Sequence, residues 1–373
     1  MPAYPGFASR LFVSGMASFV LIGILGAAYG VALPAFTRQH DLGPGAASLI
    51  LTVHSTGGVL AVLAATAGVP GLGARTALAL MAAGAALIAL APVWSLTLAG
   101  GFVAGAGFGL IATHVNRMFL TGFGPRGPGM VGLVNAVSGV GLIAGPLVFL
   151  WVGGVPALLF GGIAVFSAVL IPVFAADAAD LPDGPRGLPN MLQPKMGILV
   201  LNLLSVCLEA AIAGLGVSAL IVLGRGEGEA ATLASVFFAA FLVSRLSLYW
   251  LTRLAGPAYL FLIGTIGTAA AAGLAALGWH ATGYVLSGLF IGMAFPSFYV
   301  WGARVLGPDP RMSAAMLLAG LSGGAVGPLV FGAVLAVTGL EWLFATVAVL
   351  ALLLSLAIAL SIAPARGKIA RQE

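Results

Sequence analysis

Gly145-Pro146-Leu147-Val148-Phe149 recurs as Gly327-Pro328-Leu329-Val330-Phe331. Upstream, Gly124-Pro125 and Gly307-Pro308 stand at nearly the same offset from the two copies. Each copy sits in an apolar run long enough to cross a bilayer, for which a helix needs ~20 such residues. Working outward from the two copies gives twelve runs: 11–37, 45–67, 74–92, 95–120, 130–150, 155–175, 196–223, 230–252, 257–277, 280–304, 311–336 and 340–363. The copies then fall in the fifth and eleventh runs, the same place in two successive sets of six. The longest polar interval, 176–195, carries Asp177, Asp180, Asp183, Arg186 and Lys195 and divides the sets. The expected organisation is an all-α membrane protein of twelve transmembrane helices in two pseudo-symmetric six-helix bundles: residues 1–175, a linker over 176–195, and residues 196–373.

Composition points the same way. Hydrophobic residues make up 61% of the chain and charged residues 7%, against ~25% charged in a soluble domain. So few charges cannot cover a water-facing surface. The 55 glycines suit membrane helices, which associate through close backbone approach because lipid supplies no hydrophobic drive between them. A transmembrane barrel would instead alternate polar and apolar residues in ~10-residue segments. The apolar run from Leu11 to Phe36 exceeds the core of a cleaved signal peptide and reads as the first span. Cys207 has no partner cysteine and reads as a small core residue.

Loop charges set the orientation. With a cytoplasmic N-terminus, that side receives Arg10, Arg75, Arg126, Arg186, Lys195, Arg253, Arg304, Arg311, Arg366, Lys368 and Arg371, and the other side only Arg38 and Arg225. This is the positive-inside bias, so both termini are expected in the cytoplasm. The net charge of +5 is thereby explained without nucleic acid. The expected location is a bacterial inner membrane, and the expected state a monomer.

The repeat and the motifs around it resemble the major facilitator superfamily, and within it the fucose-permease-like branch of sugar–proton symporters. Asn116, Asn135, Gly139, Gly141, Gly145 and Pro146 match a motif of spans four and five. Glu209 matches an acid of span seven, Ser244-Arg245 a pair in span eight, and Phe295-Pro296 a pair in span ten. The resemblance implies alternating access by two halves rocking about a midplane site. The chain departs from the branch at Gly30 and Ala112, where the fucose permease has acids, and at Leu215, where it has an aromatic residue. The loop after span two keeps Arg75, a gating position, but lacks the superfamily's aspartate.

Charges inside spans are costly and mark function by default. Glu209 is the one acid well inside a span, with Asn202 and Ser205 on the same helical face. Burial disfavours a carboxylate, so Glu209 is the expected proton carrier, or else half of a permanent ion pair. Arg117 and Arg245 are the intramembrane cations. Arg117, with Asn116, is expected at the solute site, and Arg245 in a gate or interface. Two arginines against one acid give a formal excess of positive charge, which an organic anion would balance. His114 is a second candidate proton site, and His54, Asn135, Asn202, Phe298 and Trp301 are candidate solute contacts. Gly145 and Pro146 are expected at a pliable contact between the halves or in close small-residue packing, and Gly327 and Pro328 in a structural or gating role. No phosphate-binding glycine loop or metal-ligand cluster is present in the sequence, so no cofactor, metal or enzymatic activity is expected. The leading expectation is proton-coupled uptake of a small polar solute, sugar-like or an organic anion. The alternatives are a drug or metabolite exporter and a non-transporting sensor or assembly factor.

Overall fold

The structure is a computed structural model that describes residues 5–174, 194–307 and 310–369. The acidic stretch Asp177, Asp180 and Asp183, with Arg186, lies outside the described residues. Thirteen α-helices follow in order: α1 Pro5–His40, α2 Pro44–Thr66, α3 Ala74–Leu90, α4 Trp94–Gly122, α5 Gly127–Trp151, α6 Pro156–Val173, α7 Ile198–Val222, α8 Glu227–Leu251, α9 Pro257–Ala276, α10 His280–Ile291, α11 Ala294–Leu306, α12 Pro310–Thr338 and α13 Leu343–Ile369. Among the described residues, eleven helical stretches are long and apolar enough to cross a membrane, with α10 and α11 counted as one. α3 has 17 residues, at the lower limit for a span. The chain is a multi-pass membrane protein.

Helix starts follow local chemistry. Pro44, Pro156 and Pro257 open α2, α6 and α9, where a missing N–H costs nothing and φ is already helical. The repeat extends to backbone conformation. Gly124 and Gly307, of the two Gly-Pro pairs, both take left-handed φ, 55° and 94°, a region only glycine enters freely.

Packing follows the small residues. In the first part of the chain α2 packs on α4, α1 on α5, and α3 on both α4 and α6; in the second, α12 packs on α7, α10 on α9 and α8, and α13 on α9. A Cβ on Gly141 of α5 would lie 2.1 Å from the Val20 carbonyl oxygen of α1. Gly145 meets Ile24 and Ala27 of α1, and Gly327 meets Cys207 of α7. The Gly-Pro glycines therefore pack α5 on α1 and α12 on α7, in the close small-residue packing that is the other expectation for Gly145, where the absent side chain lets two backbones touch.

Helices α1 to α6 meet the later helices at α5–α8, α2–α12 and α1–α7. Gly139 of α5 faces Leu242 of α8. The side where α1 begins is here the near side, and the side where α1 ends the far side. There Arg38 of α1 forms a two-pronged ion pair with Glu227 of α8, the longer contact 3.2 Å. Ser235 of α8 donates to the Ile143 carbonyl of α5 at 2.9 Å, and Gly332 of α12 lies against Ser48 of α2. On the near side two basic residues hold helix ends. Arg75 donates to the Phe174 carbonyl after α6 at 3.3 Å, and Lys195 to the Leu306 carbonyl that ends α11 at 2.8 Å. Both satisfy C-terminal carbonyls that have no helical donor.

The tenth span is not one helix. It breaks at Gly292–Met293 between α10 and α11. Pro296 sits one turn beyond Gly292 and has no N–H to give its carbonyl, which leaves that oxygen for another donor.

Candidate functional site

A cavity of about 310 Å³ lies where α1, α2, α4 and α5 face α7, α8 and α12. Its depth is set by the middle of α7, which brings Glu209 to the wall, and by α8, which brings Arg245 opposite it. The Nη2 of Arg245 is 3.8 Å from Oε1 of Glu209, with the two side chains 33% and 23% exposed. That is an ion pair, but the distance exceeds a hydrogen bond, so both groups keep bonding capacity. Arg245 is held from two other directions. Its Nε donates to the Gly292 carbonyl at 3.3 Å, the oxygen that Pro296 leaves without a helical donor. Its guanidinium carbon stands 4.2 Å from the centre of the Phe241 ring, a cation–π contact. The helix break therefore positions the arginine of the site.

The opposite wall carries a polar pair within aromatic surroundings. Tyr29 of α1 and His54 of α2 are both buried and both line the cavity. The Tyr29 hydroxyl is 3.1 Å from His54 Nδ1, within hydrogen-bond distance. The His54 ring centre is 4.7 Å from that of Tyr29 and 5.2 Å from that of Phe108. Phe237, Phe238 and Phe241 of α8 supply apolar wall on the other side, with Phe237 stacked on the buried Tyr284 at 4.8 Å.

Of the sequence candidates, Glu209, Arg245, His54 and Pro328 come together here. Arg245, expected in a gate, is the cation beside Glu209; Arg117 is not among the residues lining the cavity. Asn116 and Asn135 lie towards the near side, where Asn135 donates to the Asn116 carbonyl at 2.7 Å. Ser138, one turn from Asn135, lines the cavity and donates to the Asn135 backbone oxygen at 2.7 Å. Asn135 is exposed.

The others lie elsewhere. His114 is about a third of a turn around α4 from Phe108 and is not among the residues lining the cavity. Asn202 is fully buried and donates to the Met316 carbonyl of α12 at 2.9 Å. The face it shares with Glu209 turns from the cavity onto α12 within two turns. Phe298 is fully buried against Phe261 and Trp301, so the aromatic stripe of the tenth span is packing among helices. Among the described residues, no group of His, Cys, Asp or Glu is arranged to hold a metal ion.

Tyr29, Ser55 and Phe108 were not singled out in the sequence. Tyr29 had a signal. It adjoins Gly30, whose missing side chain lets α1 approach the Ala213 carbonyl of α7, 2.7 Å from where a Cβ would stand.

The overall arrangement of helices is matched in solved structures. The nucleoside transporter NupG superposes with a TM-score of 0.73 at 14% identity, covering 95% of this chain and 98% of that one. A D-xylose–proton symporter gives 0.74 at 14%, covering 94% and 97%. The chain has the major facilitator fold. The E. coli fucose:proton symporter FucP, in its outward conformation, gives 0.59 at 17%, covering 93% and 98%. Likeness to FucP, expected from the motifs, holds at the level of this fold. No family model matches the chain, and no curated protein matches it.

Proposed function

We propose that this major facilitator chain is a secondary transporter that takes up a small organic solute together with protons across a bacterial inner membrane. Residues 1–175 and 196–373 act as two six-helix halves joined by a cytoplasmic linker, with both termini in the cytoplasm. The observation that carries the reading is the cavity between the halves, with Glu209 and Arg245 3.8 Å apart in its wall. A carboxyl group at such a place, beside a cation that never loses its charge, is suited to pick up a proton on one side and release it on the other. That the neighbours in fold are transporters of nucleosides, xylose and fucose supports the reading. In this orientation the far side is extracytoplasmic, and the Arg38–Glu227 pair there favours an inward-facing state.

The test is transport by the purified protein in proteoliposomes. Inward gradients of sugars, nucleosides and organic acids are applied in turn while external pH is followed. One solute class is expected to alkalinise the outside as it enters. Solute entry with no proton movement would contradict the coupling, and no entry of any class would favour a non-transporting role.

The far-side ion pair gives a separate prediction. Arg38 and Glu227 are both exposed, so the pair contributes only ~0–1 kcal/mol. All of that acts on the equilibrium between inward- and outward-facing states, because the bond joins the halves. Arg38→Gln is expected to raise the outward-facing fraction up to about fivefold. Spin labels at Gln39→Cys and Glycine 228→Cys, in a Cys207→Ala background, read the far-side distance. An unchanged distance distribution would show that the pair does not latch the halves.

A further inference from the structure

The wall of the cavity narrows the class of solute, and the narrowing rests on the transporter reading above. We infer that the cavity takes a small monocarboxylate with a flat aromatic body, bound by Arg245 when Glu209 is protonated.

Three observations carry this. First, the guanidinium is the fixed charge of the site. It is anchored by the Gly292 carbonyl and by the Phe241 ring, it stays charged, and it keeps donors turned to the cavity because Glu209 lies beyond hydrogen-bond reach. The charge of Glu209 is the removable one. When a proton arrives on Glu209, the cavity holds an uncompensated guanidinium, and the ligand that restores neutrality is an anion. A carboxylate matches the planar guanidinium fork with two parallel bonds. When anion and proton leave, Glu209 again balances Arg245, which is the paired state seen here. One proton and one monoanion therefore travel together, with no net charge moved.

Second, the rest of the wall is poor in hydrogen-bonding side chains. Apart from the ion pair it offers Tyr29, His54, Ser55 and Ser138. Tyr29 and His54 are bonded to each other, and the Ser138 hydroxyl is committed to Asn135. A hexose would bury several hydroxyls with few side-chain partners, and unpaired buried hydroxyls oppose binding. Third, Phe108, Phe237, Phe238 and Phe241 line the remaining space, and an aromatic lining suits a flat ring. A volume of about 310 Å³ suits a single ring with a short acid arm.

Isothermal titration calorimetry on the purified full-length protein in nanodiscs tests this with four probes: benzoate, phenylacetate, phenethylamine and D-galactose. Benzoate or phenylacetate is expected to bind wild type with uptake of one proton, counted from the dependence of the heat on buffer ionisation. Their affinity should fall about tenfold per pH unit above the titration of Glu209. Glu209→Gln is expected to bind them with no pH dependence, and Arg245→Gln not at all. The proton count is made on wild type, so a variant that fails to fold leaves the test standing. Binding of galactose or phenethylamine in place of the acids, binding of no acid, or acid binding without proton uptake would each overturn the proposal. Proton-driven entry of some other solute in proteoliposomes would then leave the transporter reading intact, whereas no entry at all would remove both.

Discussion

Glu209→Gln is expected to abolish proton-driven accumulation while leaving solute exchange. In wild type with one-to-one coupling, a gradient of one pH unit supports about tenfold accumulation, because each unit is worth ~1.4 kcal/mol. Glutamine keeps the shape of the side chain and a carbonyl towards Arg245 but carries no proton, so accumulation should fall to the equilibrium level. Preloaded vesicles should still exchange labelled for unlabelled solute, since exchange needs the halves to rock but not to release a proton. Folding should survive. The pair is partly open to the cavity, 23% exposed on the glutamate, so the loss should lie below the ~3–5 kcal/mol of breaking a fully buried pair. Accumulation against a gradient by the variant would remove Glu209 from the coupling.

The second large effect is on stability. A Cβ on Gly105 of α4 would lie 1.9 Å from the His54 carbonyl oxygen of α2, and one on Gly57 of α2 would lie 2.1 Å from the Phe102 carbonyl oxygen of α4. Both clashes are with backbone, so no side chain can rotate away and the two helices must part. Gly105→Ala is expected to cost ~1–3 kcal/mol, as overpacking does, and Gly105→Leu more. Loss of the folded peak on size-exclusion chromatography in detergent, or a lowered thermal midpoint, reads the effect. Because α2 carries His54, Gly105→Ala should also disturb the cavity. Gly162→Ala is the control, since nothing lies within 4 Å of its added carbon; equal stability of Gly105→Ala and Gly162→Ala would contradict the packing argument.

Much of the fold is legible because a bilayer forces it. Apolar runs must be helices, and the Gly-Pro repeat extends to backbone conformation, with Gly124 and Gly307 both at positive φ. α3, at 17 residues, shows the limit of counting by length. The site is legible only in part. Glu209 and Arg245 stand out because charge is rare inside a membrane, but their pairing depends on the rotation of α7 against α8, which neither helix encodes alone. Pro296 is legible as a proline inside a span, but not as the source of the oxygen that anchors Arg245, since that contact crosses between helices. Tyr29 and Phe108 look like any aromatic residue in an apolar helix. Conversely, Asn202, Phe298 and Trp301 carry the chemistry of a site but point into the packing of the second half. His114 fails through helical phase alone.

The central claim is that the cavity is reached from each side of the membrane in turn. Ser55 lines it and is half-buried. A Ser55→Cys variant in a Cys207→Ala background can be labelled with a membrane-impermeant maleimide applied to one side of the membrane and then, in a separate sample, to the other. The account predicts labelling from the cytoplasmic side in the resting state, and labelling from the extracytoplasmic side that rises when Arg38→Gln is added or transported solute is supplied outside. Labelling from one side only under every condition would contradict alternating access and with it the transporter reading.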